Sequence, residues 1–360
     1  MLRSELPEQV VPFPVRQGNL VTTPSTEPQT TESPADSATP WGRLIGIVLA
    51  LSAVICLMLL AFLTPSYNSG AKDLPIAVAG PEAAVSQITS ALDEKLPGAF
   101  DTTTYASPED ARNAVLDRDE VGGIAVDTDG VTIYTAAGAG QSYKTLLTNL
   151  GSGLEDQGMT VTSDEVAPTT EDDPNASGLS VLALPLAFGG MIFAALLSLT
   201  MKKRYSFRVI GSLSFSVIAG FLVGAILQFG FGTFDANYRE LSLILALGID
   251  GTSMFVLGLE SLIDYAGLGL GAVLTLFVSN PLSGIATGWQ WLPSPWGMIG
   301  QYLPIGAAGN AARSVGSVGF FDGAGATHSV VTLIVWVLIG LGFVGLDTLK
   351  DRKAASPAAS

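Results

Sequence analysis

The chain has 360 residues, 48% of them apolar, and a formal net charge of −15. A single cysteine and a single histidine leave little for a conventional zinc site or a Ser-His-Asp triad, and they exclude an intramolecular disulfide. The acidic balance argues against nucleic acid as a partner.

Residues 1–40 are rich in Pro, Ser, Thr and Glu and carry no apolar periodicity. They read as a disordered cytoplasmic tail, unable to bury enough surface to offset the entropy of ordering. Leu44–Leu63 then runs for twenty residues without a charge, enough for a helix rising about 1.5 Å per residue to cross a ~30 Å hydrocarbon core. The first transmembrane helix is therefore placed at 41–64. No basic segment opens the chain and the apolar run is long and far in, so removal as a signal peptide is not expected.

Residues 65–177 are predicted to form an acidic extracytoplasmic α/β domain. Between Thr64 and Ser177 five basic residues face nineteen acidic ones, so nearly all of the net charge sits there. Strands are expected at Leu74–Ala79, Phe100–Tyr105, Val121–Val126, Val131–Tyr134 and Met159–Val166. Helices are expected from Pro81 to about Leu96, from Pro108 to about Asp117 and from Gln141 to about Asp156. Ser107-Pro108-Glu109-Asp110 is a strong helix start, with a capping hydroxyl, proline in the first turn and acids against the positive end of the dipole. Glu171-Asp-Asp-Pro-Asn175 reads as a polar linker back to the membrane.

Gly138-Ala-Gly-Gln-Ser-Tyr-Lys144-Thr145 brushes against a phosphate-cradling loop. Tyr143 stands where close backbone approach needs glycine, so an ordinary helix start is expected there.

Residues 178–347 read as a five-helix membrane domain, with spans near Leu179–Leu199, Val209–Phe231, Leu241–Leu259, Ala266–Gly284 and Val330–Leu346 and a re-entrant segment at about 285–325. Residues 348–360 are read as a cytoplasmic tail. Arg43, the loop holding Lys202, Lys203, Arg204 and Arg208, and the terminal Lys350, Arg352 and Lys353 all fall on one side of the resulting six-span scheme. The positive-inside rule makes that side cytoplasmic and puts both termini there. The fold class is thus a polytopic α-helical membrane protein with an α/β domain inserted between helices 1 and 2, in a plasma membrane.

A charge at bilayer depth costs several kcal/mol unless it faces protein, water or a partner. Asp250, between Gly248 and Gly251, is therefore a candidate for a translocation path or for a structural hydrogen-bonded acid, with Gln228 and Asn280 as weaker candidates. Gly267-Leu-Gly269-Leu-Gly271 is expected to pack helices closely. Three prolines, Pro293, Pro295 and Pro304, within twelve residues exclude one continuous spanning helix, so that backbone must be shielded by protein or by a water-filled cavity. Trp289, Trp291, Trp296 and Tyr302 suit an interface, and Arg313 suits a headgroup, Asp322 or the acidic domain.

Asn280-Pro281-Leu282-Ser283-Gly284, Leu292-Pro293-Ser294-Pro295-Trp296-Gly297, Leu303-Pro304, Ala311-Ala312-Arg313-Ser314 and Gly319-Phe-Phe-Asp-Gly323 form a pattern. It resembles the end of the membrane domain in type-2 ABC exporter permeases, closest to the YhgE/phage-infection-protein branch. Over about Arg43–Leu346 the order of parts is similar too, although the inserted domain is much shorter than in well-known relatives. The resemblance implies a re-entrant motif carried by Pro281, Gly284, Pro293, Pro295, Pro304 and Arg313. It also implies a permease subunit of an exporter, not itself an enzyme and without a cofactor or metal of its own. Its partners would be a separate ATPase subunit, a second copy or sister permease, and membrane lipid. Lys202, Lys203, Arg204, Arg208, Glu260 and Asp264 would be the contacts for the ATPase, and the cargo would be lipid-like or amphipathic. The alternative is a membrane-anchored surface receptor or secretion accessory that keeps this fold without transport.

Overall fold

A computed structural model of the chain describes residues 40–235, 237–315 and 323–355. The expected N-terminal tail, save Pro40, and Asp322, offered above as a partner of Arg313, lie outside the described residues. The chain divides at Ala53 into two compact units. The first holds the N-terminal half of α1 (Pro40–Tyr67), a 28-residue helix. The second, from Val54 on, holds all that follows.

The elements after α1 alternate as the sequence predicts: β1 (Leu74–Ala79), α2 (Glu82–Lys95), β2 (Phe100–Tyr105), α3 (Pro108–Leu116), β3 (Gly123–Val126), β4 (Val131–Thr135), α4 (Gln141–Glu155) and β5 (Val161–Glu165). Ser107 caps α3 as its sequence suggests, its hydroxyl accepting from the Asp110 amide at 3.1 Å. The sheet runs β2-β1-β3-β4-β5, parallel except for the β3–β4 hairpin.

Its two faces differ in side-chain size, because alternate residues point to opposite sides. Leu74, Ile76, Ile124, Val131 and Ile133 pack with Leu92 of α2 and with Tyr143 and Leu147 of α4. Ala77, Ala79 and Ala125, with Tyr134, pack with Ala111 and Val115 of α3. That alanine-rich face shares one continuous core with Leu179, Leu186, Leu245, Ile285, Ala308 and Leu333, so small side chains occur where another layer comes close. The domain is built onto the helices beyond it, and the expected linker is part of the joint.

The helical part comprises α5 (Ser177–Val181), α6 (Ala183–Thr200), α7 (Tyr205–Ala225), α8 (Tyr238–Val273), α9 (Trp296–Gln301), α10 (Pro304–Val315) and α11 (Ala326–Ala355). Among the described residues five helical stretches are long and apolar enough to cross a membrane, and α1, α6, α7, α8 and α11 form their bodies. This makes the chain a multi-pass helical membrane protein by length and composition. The stretch containing α8 runs 42 residues, Tyr238–Ser279, and reverses at Ile263 and Asp264, whose φ values are −134° and +53°. A Cβ on Gly267 would strike the Leu259 carbonyl, and one on Gly271 would lie 3.0 Å from Val256. Residues so far apart in sequence meet only because two antiparallel arms lie against each other. The second arm, 265–279, reaches about 22 Å at 1.5 Å per residue, shorter than a bilayer core. The fifth expected span thus ends at Ser279 instead of Gly284, and α11 carries the last one on to Ala355.

Candidate functional site

On α7 the buried residues are Arg208, Ser212, Ser216, Gly220 and Gly224. Their spacing of four lines them along one helical stripe. The stripe faces the first arm of α8, where Asp250 lies halfway along and is 5% exposed. Ser212 Oγ is 2.8 Å and Ser216 Oγ 3.3 Å from Asp250 Oδ1, and Ser212 also lies 2.9 Å from Ser253 Oγ. One step along, Arg208 donates to Glu260 and to Ser198 Oγ, the latter at 3.0 Å. At the other end Gly220 touches backbone, since a Cβ there would sit 2.6 Å from the Ser242 carbonyl and 2.5 Å from the Ala246 amide. Polar and small residues so form a ladder between two otherwise apolar helices, each rung answered by the facing helix.

The ladder's Arg208 end belongs to one end of the bundle. There Lys202 donates to Tyr265 Oη at 2.8 Å, Tyr205 donates to Asp347 at 2.7 Å and to Asp351, and Lys203 approaches Asp351 at 3.6 Å. The basic loop, the reversal in α8 and the end of α11 therefore gather together. Of the residues expected as motor contacts, Lys202, Lys203, Arg204 and Asp264 are exposed, whereas Arg208 and Glu260 are buried against each other. The sequence placed those two in surface loops; the structure puts them inside, because each neutralises the other's charge.

The α/β domain occupies the opposite end, held there by a joint of uncommon polarity. Arg313 on α10 is buried and donates to the carbonyls of Gly138, at 2.7 Å, of Ala139, and of Ile285, at 2.8 Å. Arg118, after α3, reaches the other way, donating to the Asn310 side chain and to Ser314 Oγ. Asn310 in turn donates to Ser329 on α11 at 2.9 Å. Burial first, then repulsion from Arg313, pull the Arg118 guanidinium down to about 9. Beside the two arginines is a cavity of about 20 Å³, room for roughly one water.

Tyr143 completes the joint. Its hydroxyl donates to Gln290 Oε1 at 2.9 Å and its ring meets Trp291 edge-on, 5.8 Å between centroids; burial pushes its phenol well above the ordinary range. Gly288 lies beneath that ring at φ +95°, with no space for a Cβ. The glycine-rich loop before α4 thus spends its carbonyls on Arg313, and Lys144 is paired with Glu165 at 2.7 Å. An ordinary helix start was expected there; its docking role has no local signature.

A second element missed by the sequence is Asp173. Its carboxylate accepts from the amides of Ser177 and Gly178, both at 2.8 Å, and from Thr233 Oγ1 at 2.9 Å. It starts α5 and ties the presumed linker to the segment between α7 and α8. Burial alone would raise its pKa, but the amides of Gly178 and Ser177 with the Thr233 hydroxyl outweigh that and hold it below the ordinary carboxylate value.

Segment 280–303 is irregular, as its prolines demand: Leu282, Ser283 and Ile285 are buried, Gly284 turns at φ +62°, and Trp289–Trp291 makes one 3-10 turn. Pro304 is buried at the start of α10, while Pro281 and Pro293 are half-buried and Pro295 is exposed. Trp296 and Tyr302 are exposed, and Trp289 and Trp291 turn partly inward. Asp250, Gln228 and Asn280 are not brought together. Gln228 lies in a π-helical turn, Ile226–Gly230, beside Glu171 and Asp172. Asn280 is buried where the second arm ends, its carbonyl accepting from Ser283 Oγ at 2.7 Å. Comparison with protein-family models, with curated proteins and with solved structures gives no match.

Proposed function

We propose that the chain is the permease part of an exporter, driven by a separate ATP-hydrolysing subunit and working as a pair with a second copy or a sister permease. The observation that carries this reading is the α7–α8 ladder: a carboxylate halfway along a membrane helix, held by two hydroxyls, on a helix pair whose far end presents exposed basic residues. A buried acid in that position is costly, which makes it a functional-site candidate by default. The scheme has six crossings, the first arm of the α8 stretch supplying the fourth and the short second arm, together with the irregular residues that follow it, the fifth. By the positive-inside rule the basic end faces the cytoplasm, with both termini, and the acidic domain faces outward.

Force applied at Lys202, Lys203, Arg204 and Asp264 would travel along α7 and α8 as one body. It would reach the joint at Arg313 and move the domain with the re-entrant segment. Purification of the full-length protein in mild detergent, with partners identified by mass spectrometry and ATP turnover assayed, tests this. The expected result is a stoichiometric ATPase with vanadate-sensitive turnover, lost when the four exposed residues have their charges swapped. An ATPase that stays fully associated after the swap sinks the contact assignment, and a preparation without any ATPase sinks the permease.

A second reading, a surface receptor or secretion accessory without transport, is favoured by the backbone contacts inside the bundle. Gly258 and Gly340 approach each other's helices closely enough that a Cβ on Gly258 would sit 2.8 Å from the Gly340 carbonyl. Contacts so close leave the two helices little room to slide past each other, as suits a rigid anchor. It predicts a partner captured through the α/β domain and no nucleotide dependence.

A further inference from the structure

We infer that the α/β domain contains a binding site for a single-chain amphiphile with an anionic head, in the cleft between α2 and α4. The cleft has a volume of about 530 Å³, inside the roughly 300–1,000 Å³ range of small-molecule sites. Ile124 of β3 forms its floor, and Ile88 and Leu92 of α2 and Leu146 and Leu150 of α4 form its walls. It exists because α2 covers the β1–β2 side of the sheet and α4 the β4–β5 side, leaving the central strand β3 without a helix above it on this face.

Charge selects the occupant. Among the described residues, Lys95, exposed in the last turn of α2, is the only charged one that lines the cleft. The domain carries nineteen acidic residues between Thr64 and Ser177, and not one of them lines it. An apolar slot with one cation at its rim, in a domain otherwise dominated by carboxylates, suits an acyl chain in the slot and a carboxylate or phosphate head at Lys95. A neutral chain would gain the slot without the head contact, and a cationic amphiphile would meet repulsion. The site stands whether or not the chain works with a motor.

The test is photolabelling of the full-length protein in lipid nanodiscs with a diazirine-bearing long-chain fatty acid, with labelled peptides mapped by mass spectrometry. Three variants are compared: Ala91→Trp and Gly153→Phe, which fill the cleft, and Lys95→Glu, which reverses its charge. A Cβ on Gly153 meets nothing within 4 Å, so that position has room to accept a ring. Label is expected on both α2 and α4, reduced about tenfold by either filling variant and several-fold by Lys95→Glu, with a long-chain alcohol probe labelling as weakly as the charge reversal. Label confined to the membrane helices, or unchanged in both filling variants, overturns the site. Equal labelling by the alcohol, or by Lys95→Glu with the fatty acid, overturns the anionic head. Lys95 is exposed and outside the core, so its variant keeps the test valid should a filling variant fail to fold.

Discussion

Arg208 and Arg313 are both buried cations, and the two regions satisfy them in opposite ways. In the bundle Arg208 faces a carboxylate, Glu260, and the pair is neutral as a unit. At the joint Arg313 faces three backbone carbonyls, from Gly138, Ala139 and Ile285. An ion pair can be exchanged for two apolar residues, since both partners are side chains. A carbonyl cluster cannot, because it exists only while two irregular stretches of backbone hold their course. The first arrangement specifies which helix faces which; the second specifies the shape of the surfaces that meet.

The sharpest way to break this contrast is at Arg208. Arg208→Met strands the Glu260 carboxylate and should cost about 3–5 kcal/mol, whereas Arg208→Met with Glu260→Leu should recover most of it. Thermal unfolding in one detergent, followed by circular dichroism, measures both; a double variant no better than the single would show that the pair does more than neutralise itself. Arg313→Met should cost about 2–3 kcal/mol by leaving buried carbonyls without a donor. Arg313→Lys should rescue little, because one ammonium cannot span carbonyls on both sides as the guanidinium fork does. Limited proteolysis of the α/β domain is the more local readout there, and cleavage unchanged in both variants would place its attachment elsewhere.

Asp173→Ala removes the cap that joins α5 to the segment between α7 and α8, for about 1–2 kcal/mol. Its acidity adds a pH signature. Because the folded value lies below the unfolded one, the stabilisation is full above the ordinary aspartate value near about 4 and is lost as pH falls through the folded value. The wild type should therefore lose more stability than Asp173→Asn on acidification, and parallel pH profiles would count against the assignment. The smallest effect on folding is expected at Asp250→Asn, within about 1 kcal/mol, because an amide oxygen still accepts from Ser212 and Ser216. On the proposed exporter reading its effect should be on coupled ATP turnover, and full turnover in that variant would remove Asp250 from the proposed path.

The α/β elements were legible because their signals are local. β1 is a short apolar run and β2 a run rich in threonine and aromatic residues, each with firm turn residues at its ends, and Ser107-Pro108 announces α3 within four residues. Asp250 was legible as a charge in an apolar run. Its rungs were half-legible: Arg208, Ser212, Ser216, Gly220 and Gly224 repeat every four residues, a stripe visible in the sequence once a polar helix interface is sought. The burial of Glu260 and the roles of Arg118, Tyr143 and Asp173 were not legible. Each depends on a partner far along the chain, and in sequence each looks like a surface residue of a loop or a helix end.

The shared core has a consequence in time. Residues 74–166 of the domain are made before Ile285, Asn310 and Arg313, so the Gly138 and Ala139 carbonyls wait for the Arg313 guanidinium until α10 emerges. With roughly 150 residues still to be translated at about 5–20 residues per second, that wait lasts on the order of 7–30 s. During it the alanine-rich side of the sheet is covered by α3 alone. A nascent chain stalled before α10 would therefore keep that side only half covered and those carbonyls without their guanidinium.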